Sequence, residues 1–363
     1  MLTRLDDYPV HQTAEPVAHP STGDRNFYDR YFFNGFSRDG RLFFGVALGL
    51  YPNRRVMDAA VSVMVDGRQY VVRASRLAPA ERTDTAVGPI AVSVEEPLRR
   101  LRVRVAPNPH GIAGDVVFDA RTPAVEEPRF TWRVGTRLFM DSTRLTQFGT
   151  WDGHLEAGGR SIRVDRASVL GVRDRSWGVR PVGEPEGGAG GVPPQFYWLW
   201  APLHFDDCCT LTAVNEDGAG RSWHTGGSIV PLGERGEPEP LARVAHHVKW
   251  RSGTRRAERA EVELAAYGGE PQRIALEPLA TFQMLGLGYL HPTWGHGMWH
   301  GDLAVEGESW TVADLDPMDP RHLHVQAVVR ARWGAREGVG ILEQLVLGPH
   351  APSGFTSILD PAP

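Results

Sequence analysis

The sequence predicts an all-β protein: two antiparallel β-barrel or sandwich domains in tandem, with few helices. Short segments of alternating apolar and polar residues recur along the chain. Turn residues separate them, and Gly (41) and Pro (28) are scattered rather than clustered. Amphipathic helices with capping residues are hard to find anywhere. Past about residue 160 the order of parts in the first half recurs, and 363 residues is long for one core. The expected division is therefore 1–160 and 161–363.

Residues 1 to about 25 are polar and contain proline, which suits an arm laid over the surface. Phe27 to Phe36 is rich in aromatics and starts the first sheet; Gly35 to Gly40 turns it. Arg41 to Tyr51 follows as a strand. Phe44, Val46, Leu48 and Leu50 share one face, while Phe43, Gly45, Ala47, Gly49 and Tyr51 share the other. Glycine inside a strand marks a bend, or close approach of backbone or ligand. Pro52-Asn53 turns the chain, and Asp58 to Val65 is the next strand. Asp66-Gly67 is a strong hairpin signal, and Gln69 to Arg76 returns. In Leu98 to Val105, Arg100, Arg102 and Arg104 share a face; a solvated outer face is far more usual there than an anion site. Asp115 to Ala120 and Arg129 to Leu138 are further strands. In the second half, Phe196 to Asp207 gives an apolar strand and a turn. Cys208 to Asn215 is its partner, and Asp217-Gly218 the hairpin. Gly183 to Pro194 is a Gly/Pro-rich loop, either a lid or an excursion.

Composition excludes several classes of function. Hydrophobic residues at 41% and charged residues at 23% are the balance of a soluble globular protein. A net charge of -5, with Lys249 the only lysine, argues against a nucleic-acid partner. Met1 to Gln12 lacks the basic-then-apolar pattern of a signal peptide, and no apolar run approaches a membrane span. The only cysteines, Cys208 and Cys209, are adjacent, which strains a bridge between them. Reduced thiols in a cytoplasmic protein are expected. No second cysteine pair completes a zinc site. There is no phosphate loop, no Gly-x-Ser-x-Gly elbow, and no strand-loop-helix unit around Gly338 and Gly340. No cofactor is expected. Oligomeric state is not readable from the chain.

Three stretches carry chemistry. Val172 to Arg180 holds three arginines, one acid and one tryptophan, and Val169, Leu170 and Val172 run it out of a core. Alternation puts Asp174 and Ser176 on the face of Leu170 and Val172, and Arg173, Arg175 and Trp177 on the other. An inward carboxylate must be paired, hydrogen-bonded or protonated. It is either ion-paired, to Arg180 or another arginine, or an acid held ready in a cavity. On the next strand Phe196, Trp198, Trp200 and His204 share a face, which lines a pocket or fills a wide barrel. Tyr289 to Asp302 gathers Tyr289, His291, Trp294, His296, Trp299 and His300. Interleaved Pro and Gly break any helix that would align its histidines, so ordinary hydrogen-bonded histidines come before a pocket mouth, and both before a metal site. Glu343 falls in phase with Ile341, Leu345 and Leu347, so it is a second candidate buried carboxylate, with an arginine pair as the plain alternative.

The run Gly171 to Arg180 resembles the Arg-Asp-x-Ser-Trp-Gly-x-Arg signature of the hydroxyneurosporene synthase (carotenoid hydratase)/AttH-like superfamily. The aromatic strand after it and Gly-x-Gly-x-x-Glu at 338–343 fit that group as well. The resemblance implies two lipocalin-like β domains in tandem, and members include carotenoid hydratases, terpenoid cyclases and pericyclases. The leading expectation is a cofactor-independent enzyme acting on a hydrophobic isoprenoid- or polyketide-like substrate. Asp174 would protonate an alkene in a Trp-lined pocket, with Trp177, Trp198 and Trp200 stabilising the cation. Glu343 and His204 complete the catalytic candidates. Trp177, Arg180, Trp198, Trp200, Tyr289, His291, Trp294, His296 and Trp299 are the substrate-binding ones. The alternatives are a non-catalytic carrier of a hydrophobic metabolite and a pericyclase that only shapes its substrate.

Overall fold

A computed structural model of the chain describes residues 1–185, 194–233 and 235–363. Among these the helical segments are 3-10 turns of three or four residues; everything else regular is strand.

Strands β1 (Phe27–Ser37), β2 (Leu42–Tyr51), β3 (Val56–Val65) and β4 (Arg68–Leu77) are successive antiparallel hairpins. Asp66 and Gly67 make the predicted β3–β4 turn with φ of 47° and 80°, the left-handed pair that a two-residue hairpin needs. Strands β5 (Ala86–Val87), β6 (Ile90–Glu96), β7 (Arg100–Val105) and β8 (Ile112–Ala120) form a second meander. Then come β9 (Val125–Glu126), β10 (Phe130–Val134), the long β11 (Arg137–Ala157), β12 (Arg160–Val164) and β13 (Val169–Val179). Arg129 to Leu138 is thus a hairpin, turned at Gly135 with φ 60°, and not the one strand expected.

Strand β13 lies between β1 and β11 and joins the two meanders into one sheet. The sheet curls until its ends meet. A Cβ on Gly88, between β5 and β6, would lie 3.1 Å from Ala74 of β4. Phe33, Phe44, Val72, Ile90, Val103 and Trp151 fill the interior. Arg100, Arg102 and Arg104 point out and pair with Asp119, Glu95 and Asp115, the solvated ladder expected.

The second sheet begins with β14 (Phe196–Trp200), β15 (Leu203–His204), β16 (Cys208–Glu216) and β17 (Ser222–Pro231). It continues through β18 (Glu239–Trp250), β19 (Ala257–Ala266) and β20 (Gln272–Gln283). After β21 (Leu303–Thr311) come β22 (Val325–Trp333) and β23 (Arg336–Leu347). Pairing of β17 with both β18 and β16 closes this sheet on itself. Ala201-Pro202 interrupts the expected continuous strand 196–204. After β16 the turn runs on to Gly220, which takes φ 79° in place of Gly218. Cys208 faces the interior of the second barrel and Cys209 the space between barrels; both are free thiols.

The protein is therefore all-β, with two barrel-like sheets in tandem. The expected division at 160/161 falls inside the β11–β12 hairpin. By sheet membership the first barrel runs on to Val179 and takes back β21, which pairs along the whole of β4. The barrels pack through Phe32, Phe36, Phe148, Leu170 and Val172 on one side and Trp200, Leu211, Phe282, Val328 and Ile341 on the other. Gly45 of β2 serves this contact: a side chain there would collide with Leu287.

Candidate functional site

Where the apolar contact between barrels ends, a pocket opens. It encloses about 510 Å3, its mouth included. Alternation supplies its first wall. Tyr28, Arg30 and Phe32 on β1, Asp174 and Ser176 on β13, and Ser142 and Arg144 on β11 all point to the face that Leu170 and Val172 use lower down. Phe130, Met140, Arg180, Tyr289 and Glu343 complete it.

Asp174 is the group least committed to the protein. Among the described residues no side chain or backbone donor reaches its carboxylate, and no arginine forms an ion pair with it. Burial raises its pKa to about 6, against the pull of Arg144 and Arg30. Glu343 is the opposite case. Burial works to raise it, but His324 (2.7 Å), Gln326 and the Trp198 indole (3.0 Å) all donate to it and hold it below the usual carboxylate range. Asn34 of β1 donates to Gln326 at 3.0 Å, so this acid is tied across the barrel interface.

Arg144 forms an ion pair with the buried Glu127. Its guanidinium lies 4.9 Å from the Trp198 ring and 5.5 Å from the Trp200 ring. The pocket is therefore not Trp-lined as expected: a cation already occupies the indole faces, and its aromatic lining is Tyr28, Phe32, Phe130 and Tyr289. Arg30 donates to the Tyr289 hydroxyl at 2.7 Å and sits over that ring. Arg180 donates to Nδ1 of His296 at 3.0 Å, and His296 gives its other N–H to the Leu287 carbonyl. His296 is thus a neutral imidazole: burial first, then Arg30 and Arg180, hold its pKa well below the usual value.

Of the candidates, Asp174, Arg180, Tyr289 and Glu343 lie together in this pocket, with Trp198 behind Glu343 and His296 behind Arg180. Other expected residues lie elsewhere. His204 is packed between Phe36 and Phe148 in the contact between barrels, where it accepts from Arg121 at 3.1 Å. Trp177 is on the opposite face of β13 and 40% exposed, as its own alternation requires; Trp299 is 47% exposed. His291 caps its turn by accepting from the Trp294 amide at 2.8 Å and faces Glu308. Trp294 stacks on His300 at 3.9 Å and donates to Glu306. The three histidines of the 289–302 stretch thus point to different partners.

A smaller hollow, about 310 Å3 with the open solvent at its mouth counted, lies beside His296, lined by Asp58, Arg73, Trp294 and His300 among others. Burial raises Asp58 to about 6, although it accepts from the Gly297 amide at 2.6 Å. The sequence reading missed Asp58, Arg30, Arg144, Glu127, His324 and Gln326. Arg30 alone carried a signal, being in phase with Phe32 in the aromatic-rich first strand.

The fold, two barrel-like sheets in tandem, is the lipocalin-like one of the AttH-like proteins. An AttH-like protein of Nitrosomonas europaea superposes with a TM-score of 0.54 at 12% identity, covering 93% of this chain and 98% of that one. Kievitone hydratase of Nectria haematococca gives 0.51 at 16% identity, over 87% and 88% of the two chains. CghA, crystallised with Sch210972, gives 0.51 at 11% identity, over 89% of each. At these identities the likeness is one of fold. No curated protein matches the chain. The chain belongs to DUF8625, a family of unknown function whose model matches residues 2–356. Among the described residues no helix is long and apolar enough to cross a membrane.

Proposed function

We propose that the chain is a cofactor-independent enzyme that hydrates or cyclises an alkene in a small, largely apolar molecule, with Asp174 as the proton donor. One observation carries the reading: Asp174 faces the pocket, half-buried and without a hydrogen-bond or ion-pair partner among the described residues, its pKa raised to about 6. A scaffold carboxylate would be tied down, as Glu343 is. In the step proposed, the carboxyl proton passes to one alkene carbon. The adjacent carbon is captured by water or by a nucleophile within the substrate, whose proton returns to Asp174. The Glu343 carboxylate, and Asp174 once it has given up its proton, would offset the developing positive charge in a pocket that Arg30, Arg144 and Arg180 also line. The name of one structural neighbour, kievitone hydratase, points to the same reaction type. An isoprenoid or polyketide skeleton and a cytoplasmic setting are part of this proposal.

The test starts from small molecules that co-purify with the native protein, identified by mass spectrometry. Wild type and Asp174→Asn are then incubated in deuterated water with that compound, or with its dehydrated or acyclic precursor. The wild type should incorporate one carbon-bound deuterium, and the variant should be slower by about 10²–10⁴-fold with binding retained. Equal turnover in the variant rules the proposal out. Binding without turnover in the wild type favours a carrier.

A further inference from the structure

We propose that the pocket's ligand bears an acidic oxygen, a carboxylate or enolate, and that Arg30 holds it with help from Arg180 and Tyr289. The inference rests on the reading above, which makes this pocket the ligand site. It adds what the ligand must present there.

Arg30 is 1% exposed and lines the pocket. Among the described residues it forms no ion pair. Nη1 donates to Tyr289, while Nε and Nη2 are buried and meet no acceptor among the described residues. Other buried arginines are treated differently. Arg144 is paired with Glu127, Arg73 with Glu308 and Arg255 with Asp360. Arg173 also lacks an acid, but it points the other way from β13, toward Phe118 and Gln147. Arg180, next to Arg30 in the pocket, meets among the described residues a histidine lone pair and the Tyr28 and Tyr289 rings, and no acid within ion-pair distance.

A guanidinium fork with two unmet donors is matched by an oxygen acceptor, and a charged one matches it best. The pocket's own carboxylates do not take that place, since Glu343 is committed to three donors and Asp174 forms no ion pair with any arginine. Phe32, Phe130 and Met140 form the smaller, apolar part of a mostly polar lining, against which the rest of the ligand would lie. The ligand class is therefore an apolar molecule with one acidic head.

The probes are 4-phenylbutanoate and its methyl ester, titrated by calorimetry against wild type, Arg30→Met, Arg30→Lys and Asp174→Asn. Near-ultraviolet circular dichroism checks that each variant is folded. Wild type should bind the acid about tenfold or more tighter than the ester. Arg30→Met should erase that preference and leave the ester unchanged; Arg30→Lys should keep part of it. Asp174→Asn should keep it in full, so a failure of this inference is separable from a failure of proton donation. Equal binding of acid and ester, a preference that survives Arg30→Met, or no binding of the acid at millimolar concentration overturns it.

Discussion

At the scale of single residues, Asp174 has a cost that can be measured. In the folded chain it keeps its proton up to about pH 6, against an ordinary value of 3.8. Between those values the folded state binds more protons than the unfolded one, so stability falls as pH rises through the window. The full loss is at most about 3 kcal/mol. Asn is a neutral near-isostere, and no hydrogen bond to Asp174 is lost by the change. Asp174→Asn should therefore raise the melting temperature at pH 7.5 by a few degrees and leave it nearly unchanged at pH 3.5. An equal shift at both pH values would mean that the carboxylate is not carrying the strain. The same substitution should slow turnover, so stability and activity are expected to move in opposite directions at this residue. Asp174 was legible because Leu170 and Val172 set its phase. Its freedom from an arginine pair was not, because the neighbours that decide it, Arg30 and Arg144, arrive from two other strands and Glu127 from the loop just after β9.

Among the elements, β13 must end so as to turn Arg180 into the pocket. Gly178 takes φ 134°, and a Cβ there would collide with the Asp141 carbonyl oxygen on β11. Gly178→Ala should cost at least about 2 kcal/mol in denaturant unfolding and weaken acid binding with it. Gly111→Ala is the control: φ is 72° with open space around it, so only the left-handed backbone penalty of about 1 kcal/mol applies. Equal losses at the two sites would show that β11 yields and that this contact does not position Arg180. Hairpins closed by local turn chemistry, such as Asp66-Gly67, were readable in advance. β14 and β15 were not separable, because their break comes from where β16 and β23 pair with them. β21 was invisible for another reason. It is mostly exposed, and without a buried face a strand has no alternation to read.

For the whole molecule, the question is whether two barrels make two folding units. The contact between them is not only apolar. Gln69 of β4, fully buried, donates to the Gln283 carbonyl at 2.8 Å and accepts from the Gln283 amide at 3.0 Å. Arg73 of β4 reaches the Leu285 carbonyl at 3.1 Å and is paired with Glu308 of β21. Without the second half, β4 becomes an open edge, Gln69 keeps only Ser62, Arg73 loses the Leu285 carbonyl and Glu308, and the apolar face of Phe32, Phe36, Phe148, Leu170 and Val172 is uncovered. Baring large apolar side chains costs about 1.5–3 kcal/mol each, in a protein whose total stability is on the order of 10 kcal/mol. The full chain should therefore unfold in one calorimetric transition, with van't Hoff and calorimetric enthalpies equal. A fragment of residues 1–182 retains every strand of the first sheet except β21, yet it should lack near-ultraviolet dichroism and aggregate. A soluble fragment with a cooperative melt, or two separated transitions in the intact chain, would show that the barrels are independent. The pocket, which takes Arg30, Arg144 and Asp174 from one barrel and Glu343 from the other, would then depend on how two separately folded bodies dock.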